Sequence, residues 1–126
     1  MSLLLDTHFL LWIVTDAARL GAFPWLADRR PWGVSPVSFL EVQFLAEAGR
    51  IEARTPELVD AVQSDPRFVV DEPPLLALVR AALDVGWTRD PFDRLLVAHS
   101  RARRVPLCTV DRVIASRHGL LVRELR

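Results

Sequence analysis

The sequence predicts an α/β fold with a mainly parallel sheet of about five strands, and two observations lead to it. Short apolar runs recur along the chain, and segments with helical periodicity separate them. Strands and helices that alternate in this way pack as a parallel sheet, because each helix carries the chain back to the start of the next strand. There is no internal repeat, linker or low-complexity segment, so residues 1–126 are expected to form one domain.

The short apolar runs predict the strands, because such a run is typical of a strand buried on both faces. In chain order the predicted strands are residues 2–5, 32–37, 68–70, 105–110 and 120–125. The first run, SLLL, ends directly before Asp6, and the fourth, VPLCTV, ends directly before Asp111. Prolines interrupt the segment between the first helix and the second strand.

Helical periodicity fills the first segments between strands. Residues 8–18 predict one helix, and a second helix after Pro36 is expected to end at Gly49. The apolar face of the second helix consists of Phe39, Val42, Phe44, Leu45 and Ala48. Residues 56–63 predict a short third helix with Thr55 as its cap.

Two further helices are predicted in the second half of the chain. Residues 74–85 predict a helix that ends at Gly86. The segment TRDPFDRLLVAHS, residues 88–100, predicts another helix, which Asp90 caps and in which Pro91 occupies the first position.

The composition is that of a soluble globular protein. Hydrophobic residues make up 51% and charged residues 25% of the chain, and the longest apolar runs are far too short to cross a bilayer. No signal peptide is expected, because no basic segment precedes an apolar stretch with a cleavage site. The single cysteine, Cys108, cannot form an internal disulfide and is expected to be an inert strand residue. We therefore expect a cytoplasmic protein.

Four acids fall where a parallel sheet would bring them together. Asp6 and Asp111 each follow an apolar strand, at the edge where open parallel sheets bind ligands. Glu41 lies early in the second helix, and Asp93 lies in the first turn of a later one. Carboxylates that converge without lysine repel one another, and a divalent cation is the usual way to keep them ionised. Oxygen ligands alone indicate Mg²⁺ or Mn²⁺ rather than zinc.

Each acid also has a purely structural interpretation. Asp6 and Asp111 are in position to cap the helices that follow them. Ser38 and Glu41, in the string S-F-L-E, match a capping box, and Asp93 would lie near the positive end of a helix dipole. Taken singly, each acid is explained at least as well by its structural role. Only the four together favour a metal site.

Other common active sites lack support in the sequence. His8, His99 and His118 do not have a zinc-binding spacing. The chain has only 5 glycines, with neither a glycine-rich phosphate loop nor a G-x-S-x-G motif. All 16 basic residues are arginine, which excludes mechanisms that need a lysine base or a Schiff base. Because the net charge is +0, nucleic-acid binding would depend on a local basic patch.

Four segments resemble, in order and spacing, the PIN-domain ribonucleases, and most of all the VapC-type toxins of bacterial toxin–antitoxin pairs. The segments are LLLDTHFLLW, VSPVSFLEV, RDPFDRLLVAHS and PLCTVD, at residues 3–12, 34–42, 89–100 and 106–111. The strings D-T-H-x-L-L-W and R-D-P-F-D-R are specific, whereas the final T-x-D is weak alone. Thr88 departs from the pattern, since related sequences often carry a histidine there, and this affects only contacts at the rim.

The resemblance implies a PIN-like α/β/α sandwich and Mg²⁺-dependent cleavage of RNA, with Mn²⁺ as the alternative ion. The family's metal-binding and catalytic acids carry over onto Asp6, Glu41, Asp93 and Asp111. Thr7, Ser38 and Thr109 match positions that flank the acids, and they are expected to orient the acids or to hold water. Asp90 is interpreted first as the helix cap, with a role beside the metal as the alternative.

The resemblance also implies three partners: an RNA substrate, a cognate antitoxin and a second copy of the chain in a homodimer. The antitoxin is expected to place an arginine or lysine among the acids and a short helix in a groove lined by Trp12, Phe39 and Phe44. Trp87 and Trp12 are candidates for stacking on bases, although the core is the expected place for Trp12.

Arginines near the motifs are candidates for contacts with the RNA phosphates, although for each one a solvated helix face is the simpler interpretation. These residues are Arg89, Arg94, Arg101, Arg103, Arg104, Arg112 and Arg117.

Other function classes fit the sequence less well. A phosphoacceptor signalling domain needs adjacent acids after the first strand and a late lysine. A haloacid-type phosphatase needs D-x-D, and His8 occupies its second acidic position. A catalytically inactive PIN-fold module that binds RNA or protein stays open as the alternative.

Overall fold

The computed structural model describes all residues, Met1–Arg126, and contains a four-stranded sheet in which every pair of neighbouring strands is parallel. The strands are β1 (Leu4–Leu5), β2 (Trp32–Val34), β3 (Phe68–Val70) and β4 (Leu107–Cys108). Their order across the sheet is β3-β2-β1-β4. Leu4 in the centre pairs with Gly33 on one side and Leu107 on the other. The predicted α/β class with a parallel sheet is confirmed.

Six α-helices and three short 3₁₀ segments complete the fold. The helices are α1 (Thr7–Val14), α2 (Pro36–Glu47), α3 (Thr55–Ser64), α4 (Leu75–Leu83), α5 (Pro91–Arg103) and α6 (Arg112–Arg117). The 3₁₀ segments are Ala18–Ala22, Pro24–Arg29 and Arg123–Leu125. None of the helices is long and apolar enough to cross a membrane.

Alternation along the strands creates a core on each face of the sheet. Leu3 and Leu5 point into the larger core, which they share with residues of α1, α2 and α3. Leu4 points the other way, into a smaller core with Val97 of α5 and Ile114 of α6. Helices therefore cover both faces of the sheet, which is the predicted sandwich.

A side chain caps the first turn of four helices; three of them, α1, α2 and α6, follow a strand, whereas α5 follows α4. Asp6 accepts a hydrogen bond from the Phe9 N–H at 2.9 Å, and Asp111 accepts one from the Ile114 N–H at 2.9 Å. The same role falls to Ser35 for α2, and to Asp90 for α5. Capping thus brings the carboxyl ends of strands and the first turns of helices to one edge of the sheet.

The predicted fifth strand is wrong. Leu121 forms only an isolated parallel bridge to Leu107, and the chain then turns into the 3₁₀ segment Arg123–Leu125. Arg123 and Glu124 interrupt the apolar run, and Glu124 forms an ion pair with Arg29. A single bridge remains because only the start of the run lies against the sheet edge.

Two other local predictions need correction. Thr55 does not cap α3; its hydroxyl donates to the Gln43 side chain at 2.8 Å, and no side chain caps this helix. The apolar face of α2 is smaller than predicted, because Phe44 and Ala48 are exposed. The predicted stop at Gly49 is correct, since Gly49 has a φ of 73°, which favours glycine.

Buried histidines fasten α5 to the rest of the molecule. His99 Nε2 lies 2.7 Å from Asp71 Oδ2, just after β3, and Arg103 donates to the same oxygen at 2.9 Å. His118 Nε2 lies 2.8 Å from the Ser100 hydroxyl. Burial lowers the pKa of both histidines, which keeps them neutral. These contacts explain two of the three histidines without any metal.

Candidate active site

The four predicted acids line one small pocket at the carboxyl edge of the sheet. Its volume is about 30 Å³, enough for an ion or a water molecule. The residues around it are Asp6, Thr7, His8, Glu41, Asp93, Leu96, Asp111 and Ile114. Strand ends supply Asp6 and Asp111, Asp93 lies in the first turn of α5, and Glu41 lies early in α2, as the sequence predicted.

Asp6 is the deepest of the acids, with only 5% of its surface exposed. Burial raises the pKa of this carboxyl, while hydrogen bonds from the Phe9 N–H and the Thr109 side chain lower it. The Thr109 hydroxyl also accepts from the Asp111 N–H at 3.1 Å. Thr109 therefore links the two acids that end neighbouring strands.

Glu41 is held toward the pocket by a hydroxyl pair. Thr7 Oγ1 lies 2.5 Å from Glu41 Oε1 and 3.2 Å from Ser38 Oγ. Because a hydroxyl has one proton, Thr7 donates to the carboxylate and Ser38 can donate to Thr7. The capping-box interpretation of Ser38 and Glu41 is wrong: the cap of α2 is Ser35, and Ser38 is buried inside the helix.

Asp90 and Asp93 have different roles in the structure. Asp90 is exposed, and its Oδ1 accepts from the N–H groups of Phe92 at 2.8 Å and Asp93 at 3.2 Å, which confirms the cap. The Asp93 carboxylate accepts no hydrogen bond and is half-buried. Burial, and then the negative charges of Asp90, Asp111, Glu41 and Asp6, raise its pKa to about 7. Asp93 is the acid whose charge is least compensated.

The charges at the pocket are unbalanced, because none of the ion pairs in the protein includes any of its acids. The donor set is entirely oxygen, which suits Mg²⁺ or Mn²⁺. As placed, however, no three of these side chains are close enough together to hold one ion. Asp6, Glu41 and Asp111 are turned toward N–H or hydroxyl donors instead. The residues therefore fit a divalent ion by chemistry, and binding would require side-chain rotation.

The predicted arginines separate into distinct groups. Arg89 and Arg112 are exposed and lie beside the acids Asp90 and Asp111. Arg101 and Arg104 lie at the other end of α5. A helix rises about 1.5 Å per residue, so these two residues are about 12 and 17 Å from Asp93 along the helix axis.

Three more of the arginines have other places. Arg94 is partly buried and donates through Nε to the Thr88 carbonyl at 2.7 Å. Arg103 belongs to the His99 network. Arg117 ends α6.

The tryptophans and Cys108 occupy structural positions. Trp12 packs against the larger core and Trp87 against the smaller one, and both are partly buried. Burial raises the pKa of the Cys108 thiol far above its usual range, so this residue is unreactive at neutral pH, as predicted.

The sequence alone did not assign His8 to the site, yet this residue lines the pocket. Its position two residues after Asp6, in the first turn of a helix, was a usable signal.

Comparison with known proteins identifies the family. The family model for the PIN domain matches residues 3–119. The chain belongs to the PIN domain family. PIN domains are typically metal-dependent nucleases. No curated protein matches the sequence significantly.

Among solved structures, this PIN domain is similar to a toxin–antitoxin complex from Klebsiella pneumoniae. The TM-score is 0.68 at 14% sequence identity, and the match covers 96% of each chain. At this identity the likeness is one of fold.

Proposed function

We propose that this PIN domain is a Mg²⁺-dependent endoribonuclease that acts in the cytoplasm as the VapC-type toxin of a toxin–antitoxin pair, with Mn²⁺ as an alternative ion. The observation that carries the proposal is that four carboxylates line one pocket and none of them forms an ion pair. Burial, together with the neighbouring carboxylates, raises the pKa of Asp93 to about 7. Membership of the PIN family and the fold of the Klebsiella complex support it.

In this proposal the four acids have different roles at the pocket. Asp6, Asp93 and Asp111 hold the ion, and Glu41 is a further ligand or orients the attacking water. The bound ion supplies a lowered water pKa and neutralises charge that develops on the phosphate and the leaving oxygen. Thr7 keeps Glu41 directed into the pocket.

RNA must reach a pocket that is itself negative, so nearby cations are needed. Arg89 and Arg112 are the first candidates for contacts with its phosphates, because both are exposed and directly adjacent in sequence to Asp90 and Asp111. Arg101 and Arg104 are candidates only for RNA that extends along α5.

Purified protein is expected to cut RNA in the presence of Mg²⁺ and to leave it intact in EDTA. Gel analysis of a mixed RNA pool, with and without the ion, measures this. One observation favours the alternative, an inactive PIN-fold binding module: although four carboxylates line the pocket, no three of them are placed to hold one ion. Binding of the pool without cleavage at any Mg²⁺ or Mn²⁺ concentration would establish that alternative.

The toxin assignment predicts a growth defect. Expression of the chain alone should slow growth, and co-expression of the protein encoded next to it should restore growth through a stable complex. Such an antitoxin would place a guanidinium among the acids, where it can bind two carboxylate oxygens. Normal growth, with no neighbour-encoded protein co-purifying, would contradict the toxin assignment. The assignment of the chain to the PIN family would be unaffected.

The groove first expected for the antitoxin helix needs correction. Phe39 is only 8% exposed and belongs to the larger core, so it cannot line a surface groove. Phe44 is 55% exposed and pairs with Phe92, at 5.7 Å between ring centroids. A helix from the antitoxin would therefore contact Phe44 and Phe92 rather than Phe39.

We also propose a homodimer through the outer face of α4. Three leucines on this face are largely exposed: Leu75 (74%), Leu76 (65%) and Leu83 (69%). An exposed apolar patch of this kind is typical of a protein–protein contact. The variant Leu76→Glu is expected to convert the dimer to monomer, as measured by size exclusion with light scattering. Val113→Glu is the matched control, because Val113 is a similarly exposed apolar residue on α6. A dimer that survives Leu76→Glu would exclude this face.

A further inference from the structure

His8 lies in the wall of the acidic pocket without belonging to the carboxylate set. It follows Thr7 in the first turn of α1, and its side chain is exposed. The hydrogen bonds made by histidine rings in this protein involve His99 and His118 only. The imidazole of His8 is thus an aromatic surface at the pocket with no structural partner for its nitrogens.

Trp12 supports the His8 ring from the next turn of α1. The two ring centroids are 6.4 Å apart and the planes are tilted by 53°. Trp12 is itself immobilised, because Phe9 packs 4.9 Å away and Phe23 lies nearly parallel to it at 6.2 Å. A rigid aromatic wall therefore stands behind an imidazole whose outer surface is open to solvent.

Arg19 extends this surface outward. Its guanidinium carbon lies 4.3 Å from the centroid of the Trp12 ring, and the side chain is exposed and forms no ion pair. From the pocket outward, the groups are therefore carboxylates, an imidazole, an indole and a guanidinium. Aromatic rings followed by a free cation are the groups that bind an unpaired base and its phosphate.

We propose that His8 forms a base-binding subsite, in which an unpaired base next to the scissile phosphate stacks on the imidazole while Arg19 binds a neighbouring phosphate. The proposal rests on the nuclease function and adds that the substrate is single-stranded at the site of cleavage. A base within a duplex cannot offer its face to a side chain. The surface of His8 selects for an exposed base by stacking, which tolerates any sequence.

The test measures RNA binding separately from cleavage. A labelled short single-stranded RNA is titrated against Asp93→Asn protein, alone or combined with His8→Ala, His8→Phe or Arg19→Ala. His8→Ala should weaken binding about tenfold, and His8→Phe should keep most of it because the ring is retained. Arg19→Ala should lower the salt dependence by about 0.7 in the log–log slope, the value for one phosphate of a single strand. Duplex RNA should show no effect of His8→Ala.

An abasic scan of the same RNA locates the subsite. Removal of one base should weaken binding as much as His8→Ala does, and the two changes together should cost no more than either alone. Equal binding by His8→Ala and the parent, or equal losses for His8→Phe and His8→Ala, would overturn the stacking proposal even if the wild type cuts RNA. A wild type that binds RNA through His8 without cutting it would instead refute the nuclease function and leave the subsite intact.

Discussion

Asp93→Asn is expected to abolish RNA cleavage while the protein stays folded. The substitution preserves size and removes the charge that an ion needs, at the one acid with no hydrogen bond to its carboxylate. Loss of an outer contact at a metal site costs up to about 100-fold in affinity or activity, so loss of a direct ligand should exceed that. Rates of cleavage of a labelled RNA in Mg²⁺ measure the effect.

Asp90→Asn is the matched control for Asp93→Asn, because it changes the neighbouring acid in the same way. Asparagine caps a helix as well as aspartate does, so the bonds to Phe92 and Asp93 should survive. Activity should therefore fall by less than about tenfold. Equal loss in both variants would move Asp90 into the metal site. Full activity of Asp93→Asn would mean that Asp93 serves only the helix dipole.

The metal-free protein is expected to lose stability between pH 5 and pH 8, and Mg²⁺ should restore it. The pKa of Asp93 is about 7 in the folded state, against 3.8 for an ordinary aspartate. A raised carboxyl pKa contributes stability that is fully present below the unfolded pKa and is lost as pH rises through the folded pKa. After allowance for solvent screening of this half-exposed group, the loss in the free energy of unfolding is about 2 kcal/mol.

Urea unfolding at pH 5 and pH 8, in EDTA and in Mg²⁺, measures this effect. Asp93→Asn in EDTA should be more stable than the wild type at pH 8 by about 2 kcal/mol and should gain little from Mg²⁺. His99 and His118 act in the opposite direction, because their lowered pKa values cost stability as pH falls, whereas the raised pKa values of Asp6 and Glu41 act in the same direction as that of Asp93. All four groups are present in both proteins, so the difference between the two proteins reports on Asp93. Identical pH profiles would contradict the raised pKa.

Local signals located the acids correctly. A cap acts within one helical turn, so Asp6, Asp90 and Asp111 could be assigned as helix starts from their immediate neighbours, and the structure confirms all three. The parallel sheet then places strand ends and helix starts at one edge. For that reason the convergence of the four acids on one pocket followed from the order of elements.

Predictions that depended on distant partners did less well. Thr55 looked like a cap until its hydroxyl was seen to bond to Gln43, which lies on another helix. Ser38 and Glu41 matched a capping box, but Thr7 is the partner of both side chains. In each case the sequence offered a hydrogen-bond partner nearby, but packing between helices brought in a different partner that is far away in sequence.

The sequence alone determined the α/β class, the parallel sheet and the acids of the candidate site, because hydrophobic runs and caps act over a few residues. Tertiary structure decided which apolar side chains are exposed and how far the pKa of Asp93 is raised. Phe44 and Leu76 belong to helical patterns like those of core residues, and only the packed neighbours show that they are exposed. The pKa of Asp93 depends on burial and on carboxylates from four other places in the chain, a sum that exists only once the chain has folded.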